Sequence, residues 1–140
     1  MRHVARAGAL RRRSGSIPAV GNLLGLIGEL RRLSRTVTVP LERDLKRAGC
    51  PALETFEVLR EIDQSGDVDL RSVDLQTRLA IPRYRMSRLI DRLEKVGYVE
   101  RQRGASGARG HVIVITDAGR RASREASSVL LAAVRRFFYK

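Results

Sequence analysis

Residues 83–119 read "RYRMSRLIDRLEKVGYVERQRGASGARGHVIVITDAG", and this stretch carries the main evidence for the fold. Apolar residues first recur at intervals of three and four, which is typical of an amphipathic helix. After Gly97 the period falls to two, with β-branched residues on both sides of the glycine-rich segment "GASGARG". This order of hydrophobic periods predicts a helix followed by a β-hairpin, or wing, with a flexible tip.

The residues before this stretch predict a further helix. Within residues 67–79, "DVDLRSVDLQTRL", Asp69 is the expected N-cap because its side chain accepts a backbone hydrogen bond. Ile81 and Pro82 form a tight turn, and Pro82 has the φ angle that a helix start requires. The two helices and their turn predict a helix-turn-helix. The expected inner faces are Leu70, Val73, Leu75 and Leu79 in the first helix and Met86, Leu89, Ile90, Leu93 and Val96 in the second.

Two longer amphipathic helices are predicted towards the ends of the chain. Residues 17–35 and the residues after the cap at Thr116 or Asp117 carry apolar stripes at intervals of three and four. Pro40 is expected to break or kink the first helix, and a short helical piece then runs to Gly49. A small winged-helix core has no place for these stripes, so they predict a surface that pairs two copies of the chain. The candidate dimer-interface residues are Leu23, Ile27, Leu30, Val129, Leu130, Val134 and Phe137.

The charge balance indicates a polyanionic partner. The chain has 140 residues, and 28 Lys and Arg against 15 Asp and Glu give a formal net charge of +13. Most of the cations are arginine, whose planar guanidinium suits phosphates and guanine edges. Double-stranded DNA is the expected partner.

Composition also argues against several classes of protein. No apolar run reaches the roughly 18 residues that would span a bilayer, so no membrane partner is expected. One cysteine and two distant histidines make neither an internal disulfide nor a zinc site, and no metal or cofactor is expected. No local motif pairs His3 or His111 with a nucleophile, which argues against an enzyme. We expect a soluble protein of the reducing cytoplasm, at the nucleoid.

Two basic elements are the candidate DNA contacts. A recognition helix reads base edges with side chains near its N-terminus, and the more lateral side chains reach phosphates. In the wing, alternation puts two arginines on one face of the first strand, and a glycine-flanked arginine is free to enter a minor groove. The recognition-helix candidates are Arg83, Tyr84, Ser87 and Arg88 for bases and Arg85 and Arg92 for phosphates; the wing candidates are Arg101, Arg103 and Arg109.

The segment "LAIPRYRMSRLIDRLEKVGYVERQ", residues 79–102, together with "RGHVIVITDAGRR", residues 109–121, resembles the MarR family of winged-helix transcriptional regulators. The similarity extends over about residues 53–125. The family's motifs S-R-L-I/V-D-R-L-E, G-L/Y-V/I-E-R and L-T-x-A-G correspond to residues 87–94, 97–101 and 115–119.

The resemblance implies a mainly α fold with a small β-hairpin wing, an α+β winged helix-turn-helix that forms a homodimer. Such a dimer binds a palindromic operator, and a small phenolic or anionic effector often lies between its regions. The expected organisation is a basic, disordered arm (1–16) before one domain (17–140). Within that domain, helices for dimerisation (17–48 and 118–140) flank a winged-helix region (51–116).

The chain departs from the family pattern in two places. The family's wing carries Asp-x-Arg, whereas Gly107 and Arg109 occupy these positions, so the arginine is kept without its acid. Relatives commonly continue into another helix after the one that ends here near Tyr139, which predicts a reduced or rearranged set of dimerisation helices.

Several alternatives remain open at this point. The weakened wing and the basic arm are also compatible with a non-specific, architectural DNA-coating protein, and a winged helix also serves as a protein interaction module. The arm, "MRHVARAGALRRRSGS", has five arginines and no acid, and a transit peptide shares this pattern. Cys50 is either a packed residue or a redox sensor.

Overall fold

A computed structural model describes residues 20–104 and 110–139. These residues form five helices and one two-stranded antiparallel sheet, which confirms the mainly α winged fold. The predicted arm (1–16) and Arg109 lie outside the described residues. The elements are α1 (Val20–Arg47), α2 (Leu53–Gln64), α3 (Ser72–Leu79), α4 (Arg83–Lys95), β1 (Val99–Arg103), β2 (His111–Ile115) and α5 (Asp117–Phe138).

Of the two outcomes predicted at Pro40, a break or a kink, the break is wrong, because α1 is one helix with Pro40 inside it. A proline inside a helix loses one backbone hydrogen bond and costs about 3 kcal/mol. Leu41 and Leu45 follow directly and pack into an apolar cluster, and burial of this kind stabilises a helix more than local propensity does. Among the described helices, none is both long and apolar enough to cross a bilayer.

The chain divides into two compact units, one ending at Val37 and the other beginning at Thr38. The described part of the first unit is the N-terminal portion of α1, which carries large exposed apolar side chains. The second unit contains the rest of α1 and all of the later elements.

Gly49 ends α1 as predicted, and it does so through a Schellman motif. Its φ is +70°, its N–H donates to the Lys46 carbonyl at 3.1 Å, and the Cys50 N–H donates to the Leu45 carbonyl at 2.9 Å. The next helix, α2, has no side-chain cap at Ala52. Instead Glu42 Oε1 accepts a hydrogen bond from the Leu53 N–H at 3.1 Å, so α1 positions the start of α2.

The helix-turn-helix is present as predicted, with two corrections at its ends. Asp69 is not the cap of α3, which begins at Ser72; the Asp74 carboxylate accepts the Arg71 N–H at 2.8 Å instead. Ala80 takes the left-handed conformation in the turn, with φ +52°. Pro82 then occupies the N-cap position of α4.

The core of the winged helix joins α2, α3, α4 and the sheet. Apolar side chains from each element form one buried cluster, and Leu75, Met86 and Ile90 within it are fully buried. Val73 and Val96, which were predicted to face the core, are exposed instead because they fall at the margins of their helical stripes.

The wing pairs β1 with β2 from Val99↔Ile115 to Arg103↔His111. The segment before α3 joins this sheet, because the Ile113 N–H donates to the Leu70 carbonyl at 2.7 Å. The sheet is therefore attached to the helix-turn-helix on two sides, by the turn after α4 and by this third strand-like segment.

A second apolar cluster joins α1, α2 and α5. It contains Leu45, Phe56, Ala126 and Leu130, all of them buried. Thr116 starts α5 as predicted, since its Oγ1 accepts the Gly119 N–H at 3.1 Å. Through this cluster, residues near the middle of α5 pack against α1 and α2.

Candidate nucleic-acid interface

The outer face of α4 is strongly basic because the apolar stripe occupies the opposite side. Met86, Leu89, Ile90 and Leu93 face the core, which leaves the intervening positions in solvent. All six predicted recognition-helix residues are exposed in the structure: Arg83, Tyr84, Arg85, Ser87, Arg88 and Arg92.

Tyr84 and Arg88 lie one helical turn apart and interact. The Arg88 guanidinium carbon is 6.0 Å from the centre of the Tyr84 ring, within the range of a cation–π contact. Tyr84 is 65% exposed, so the pair stands above the helix surface. A guanidinium beside an exposed aromatic ring, near the start of α4, suits a guanine edge.

Arg85 is held by an ion pair with a different helix. Its Nη2 lies 2.5 Å from Glu54 Oε1 in the first turn of α2. About half of the Arg85 side chain stays exposed. The arginine is therefore reachable from solvent while one side of its guanidinium is occupied.

Arg101 is also held by carboxylates, and here both come from α4. Its Nη2 lies 2.6 Å from Asp91 Oδ1 and its Nη1 lies 2.8 Å from Glu94 Oε1. Burial alone would lower the pKa of Arg101, but the hydrogen bonds to Asp91 and Glu94 outweigh it and raise the pKa. The guanidinium ties the first strand of the wing to the recognition helix.

The two arginines of β1 differ in their surroundings although they share one strand face. That face also carries Val99, which is buried, so Arg101 lies beside α4. Arg103 lies farther along the strand and is exposed. The third wing candidate, Arg109, falls outside the described residues, as does Gly107.

Sequence reasoning missed the acidic partners in this interface. In the sequence, Asp91, Glu94 and Glu54 are ordinary acidic positions of predicted helices. The available signal was positional, since Val99 marks the inward face of β1 and the strand follows α4 directly. No comparable local signal links Glu54 to Arg85, which are 31 residues apart.

The predicted dimer residues fall into two groups. Leu23, Ile27, Leu30 and Phe137 are exposed and form parts of apolar surface. Val129 and Val134 are partly buried, whereas Leu130 is only 9% exposed and packs in the second cluster of its own chain. We therefore leave Leu130 out of the interface that we propose below.

Cys50 is partly exposed and packs beside the second apolar cluster. Burial raises the pKa of its thiol, and the nearby charge of Glu125 raises that pKa further. A raised pKa lowers the fraction of thiolate, which is the reactive form. These surroundings favour a packed residue over a redox sensor.

Solved structures with this fold include MarR family transcriptional regulators. A family model described as MarR family matches residues 51–110, which cover the helix-turn-helix and β1. Among curated proteins, none matches the sequence significantly.

Three solved structures illustrate the similarity. AbsC, a MarR family transcriptional regulator from Streptomyces coelicolor, is 27% identical, with 89% of this chain and 82% of that chain covered and a TM-score of 0.72. A second MarR family regulator from Streptomyces coelicolor, in complex with DNA, is 24% identical over 89% and 78% of the two chains, with a TM-score of 0.73. CouR from Rhodococcus jostii, bound to p-coumaroyl-CoA, is 23% identical over 88% and 83%, with a TM-score of 0.69.

The family match covers α4, which carries the exposed basic face. The fold is similar to that of AbsC over 89% of this chain. This family consists of regulators, which agrees with the prediction that the chain is not an enzyme. Over residues 51–110 the chain is similar to the MarR family of winged helix-turn-helix transcriptional regulators, and its fold is the one seen in solved members of that family.

Proposed function

We propose that the protein binds double-stranded DNA as a homodimer, with sequence specificity, and represses transcription by covering a promoter. The observation that carries the proposal is the outer face of α4, where Arg83, Tyr84, Ser87, Arg88 and Arg92 are all exposed at the second helix of a helix-turn-helix. A helix in this position enters the major groove and places such side chains at base edges. The similar regulator from Streptomyces coelicolor that was solved with DNA supports the partner.

The exposed apolar side chains support the dimer. Leu23, Ile27 and Leu30 recur at intervals of four and three along α1, and each is exposed to solvent. Contiguous exposed apolar surface of this kind marks an interface. A two-fold dimer would present two copies of α4 to half-sites about one DNA turn apart, so the operator should be a palindrome.

Selection of bound sequences from a random DNA pool tests the proposal directly. A palindrome with half-sites about 10 base pairs apart is the expected result. Titration of the selected and a scrambled duplex at several salt concentrations then separates the alternatives. Equal affinity with a steep salt dependence would indicate a DNA-coating protein, and no binding at low salt would indicate a protein interaction module.

Arg88→Ala is expected to lower sequence specificity. The loss of a bidentate contact to a base edge costs roughly 1–3 kcal/mol against the selected duplex and less against a scrambled one. The measurement is the ratio of the two dissociation constants by fluorescence anisotropy. Tyr84→Ala should act in the same direction, because the Tyr84 ring supports the Arg88 guanidinium. Equal losses on both duplexes would show that α4 does not read bases.

Arg101→Lys is expected to weaken binding to every duplex, although the charge is kept. A lysine ammonium is a single point charge and does not bridge Asp91 and Glu94 as the forked guanidinium does, so the wing loosens from α4. We expect faster amide hydrogen exchange in β1 together with the lower affinity. Arg103→Lys is the matched control on the same strand face, and it should leave amide hydrogen exchange in β1 unchanged. Unchanged amide hydrogen exchange in the Arg101→Lys variant would contradict the role of Arg101 in positioning the wing.

We also propose that a small phenolic or anionic effector releases the DNA. The support is that one protein of the same fold, CouR, is bound to p-coumaroyl-CoA. Adding phenolic acids or their thioesters to the complex with the selected duplex should lower its affinity. A protein that regulates DNA in this way acts in the cytoplasm, at the nucleoid.

A further inference from the structure

A carboxylate from another helix stands at the edge of the DNA-reading face. Glu54 of α2 and the outer residues of α4, among them Tyr84, Arg85, Arg88 and Arg92, line one open cleft of about 360 Å³. Within this cleft the Glu54 carboxylate contacts Arg85 at 2.5 Å. A phosphate that approaches Arg85 therefore meets a negative charge that already occupies part of the guanidinium.

The backbone around Glu54 is held in place, which fixes the point from which its side chain extends towards Arg85. Glu42 accepts a hydrogen bond from the N–H of Leu53, the residue next to Glu54. One and two turns farther along α2, Val58 and Ile62 are buried in the core of the winged helix. The position of the acid follows from the packing of α2 and not from a mobile loop.

Two other acids, Glu57 and Glu42, lie near Glu54 and add to the negative charge there. Burial raises the pKa of Glu57, and the charges of Glu54 and Glu42 raise it further. Glu54 and Glu42 therefore both lie near Glu57, and the three acids make the surroundings of the start of α2 negative. Arg85 offsets part of this charge through its pair with Glu54.

We propose that Glu54 sets the DNA affinity of this protein by competing with phosphate for Arg85. The inference rests on the proposed DNA binding and adds a residue that opposes it. In a chain of net charge +13, binding to arbitrary DNA is favourable through phosphate neutralisation alone. An acid that engages one arginine of the reading face lowers that affinity for every sequence equally, because phosphate contacts carry no sequence information.

Glu54→Gln tests this with little change in shape. Releasing one arginine to a phosphate should raise affinity by about 3- to 10-fold for each subunit on the DNA, for selected and scrambled duplexes alike, near 0.15 M salt. The slope of log affinity against log salt should steepen by about 1 per subunit. The measurement is anisotropy titration at four salt concentrations, with thermal unfolding to confirm that each variant is folded.

Two further variants isolate the ion pair. Glu57→Gln removes the same charge from the same helix about one turn away, and it should raise affinity much less because the partner of Arg85 is Glu54. In an Arg85→Ala background, Glu54→Gln should produce no gain. A gain that persists in that background, or no gain from Glu54→Gln alone, would overturn the proposal.

The outcomes also separate this inference from the proposed function. Equal wild-type affinity for selected and scrambled duplexes, with the gain in Glu54→Gln present, would remove sequence specificity and keep the role of Glu54. Specific DNA binding by the wild type, without a gain in affinity in Glu54→Gln, would keep sequence specificity and remove the role of Glu54. No wild-type binding at low salt would overturn both.

Discussion

Leu30→Glu is expected to convert the dimer into monomers and to weaken binding to a palindromic duplex by about 100-fold or more. Leu30 is 56% exposed on α1, in line with Leu23 and Ile27. Burying an unpaired carboxylate in an apolar interface costs several kcal/mol, which a helix-mediated dimer does not tolerate. Without the dimer, the two half-sites are no longer bound as a linked pair, and linkage of this kind contributes about 10²- to 10⁴-fold.

The mass in solution and the DNA affinity should change together in this variant. Light scattering coupled to size-exclusion chromatography measures the first, and anisotropy with the selected duplex measures the second. Arg32→Gln is the matched control, because it lowers the net charge by the same single unit about 200° around the helix from Leu30. A dimeric Leu30→Glu variant with wild-type affinity would refute the proposed interface.

Gly119→Ala should destabilise the fold by about 1–3 kcal/mol or more, as overpacking of a tight site does. A Cβ at Gly119 would overlap the Tyr98 carbonyl oxygen and lie 2.8 Å from Ile115 Cγ1. The carbonyl has little freedom to move, because it accepts the Thr116 N–H at 3.0 Å. The Thr116 hydroxyl also donates to the Gly97 carbonyl at 2.5 Å, which closes the corner between α4, the sheet and α5.

Chemical unfolding at one fixed protein concentration measures this effect, since the stability of a dimer depends on concentration. Gly25→Ala is the control, because a Cβ at Gly25 meets nothing within 4 Å. At that helical position, alanine should stabilise by about 1 kcal/mol, so the same substitution has opposite signs at the two sites. Equal unfolding midpoints for Gly119→Ala and the wild type would show that the corner adapts at no cost.

Much of the fold was predictable because local signals carry it. Gly49 and Gly97 end their helices with φ of +70° and +83°, conformations that glycine adopts without strain. The change of hydrophobic period after α4 marks the hairpin, and its two strands lie on either side of the glycine-rich segment as predicted. Such signals act within a few residues, so they survive in almost any tertiary context.

The structure departs from the local expectations where distant packing outweighs a local rule. Pro40 lies inside a continuous helix because Leu41 and Leu45 are held by the second apolar cluster. Leu130 belongs to an apolar stripe, yet a stripe alone does not say whether its partner is the same chain or another copy. The structure places Leu130 against Phe56 and Leu45 of its own chain.

The order of elements, the excess of positive charge and the basic outer face of α4 follow from the amino-acid sequence alone, since each depends on composition or short-range periodicity. Which arginines on that surface are already paired with carboxylates depends on the tertiary structure. Arg85 meets Glu54 and Arg101 meets Asp91 because separate elements pack side by side. Ion pairs between elements depend on where whole helices and strands lie, and no spacing within a helix or strand encodes that arrangement.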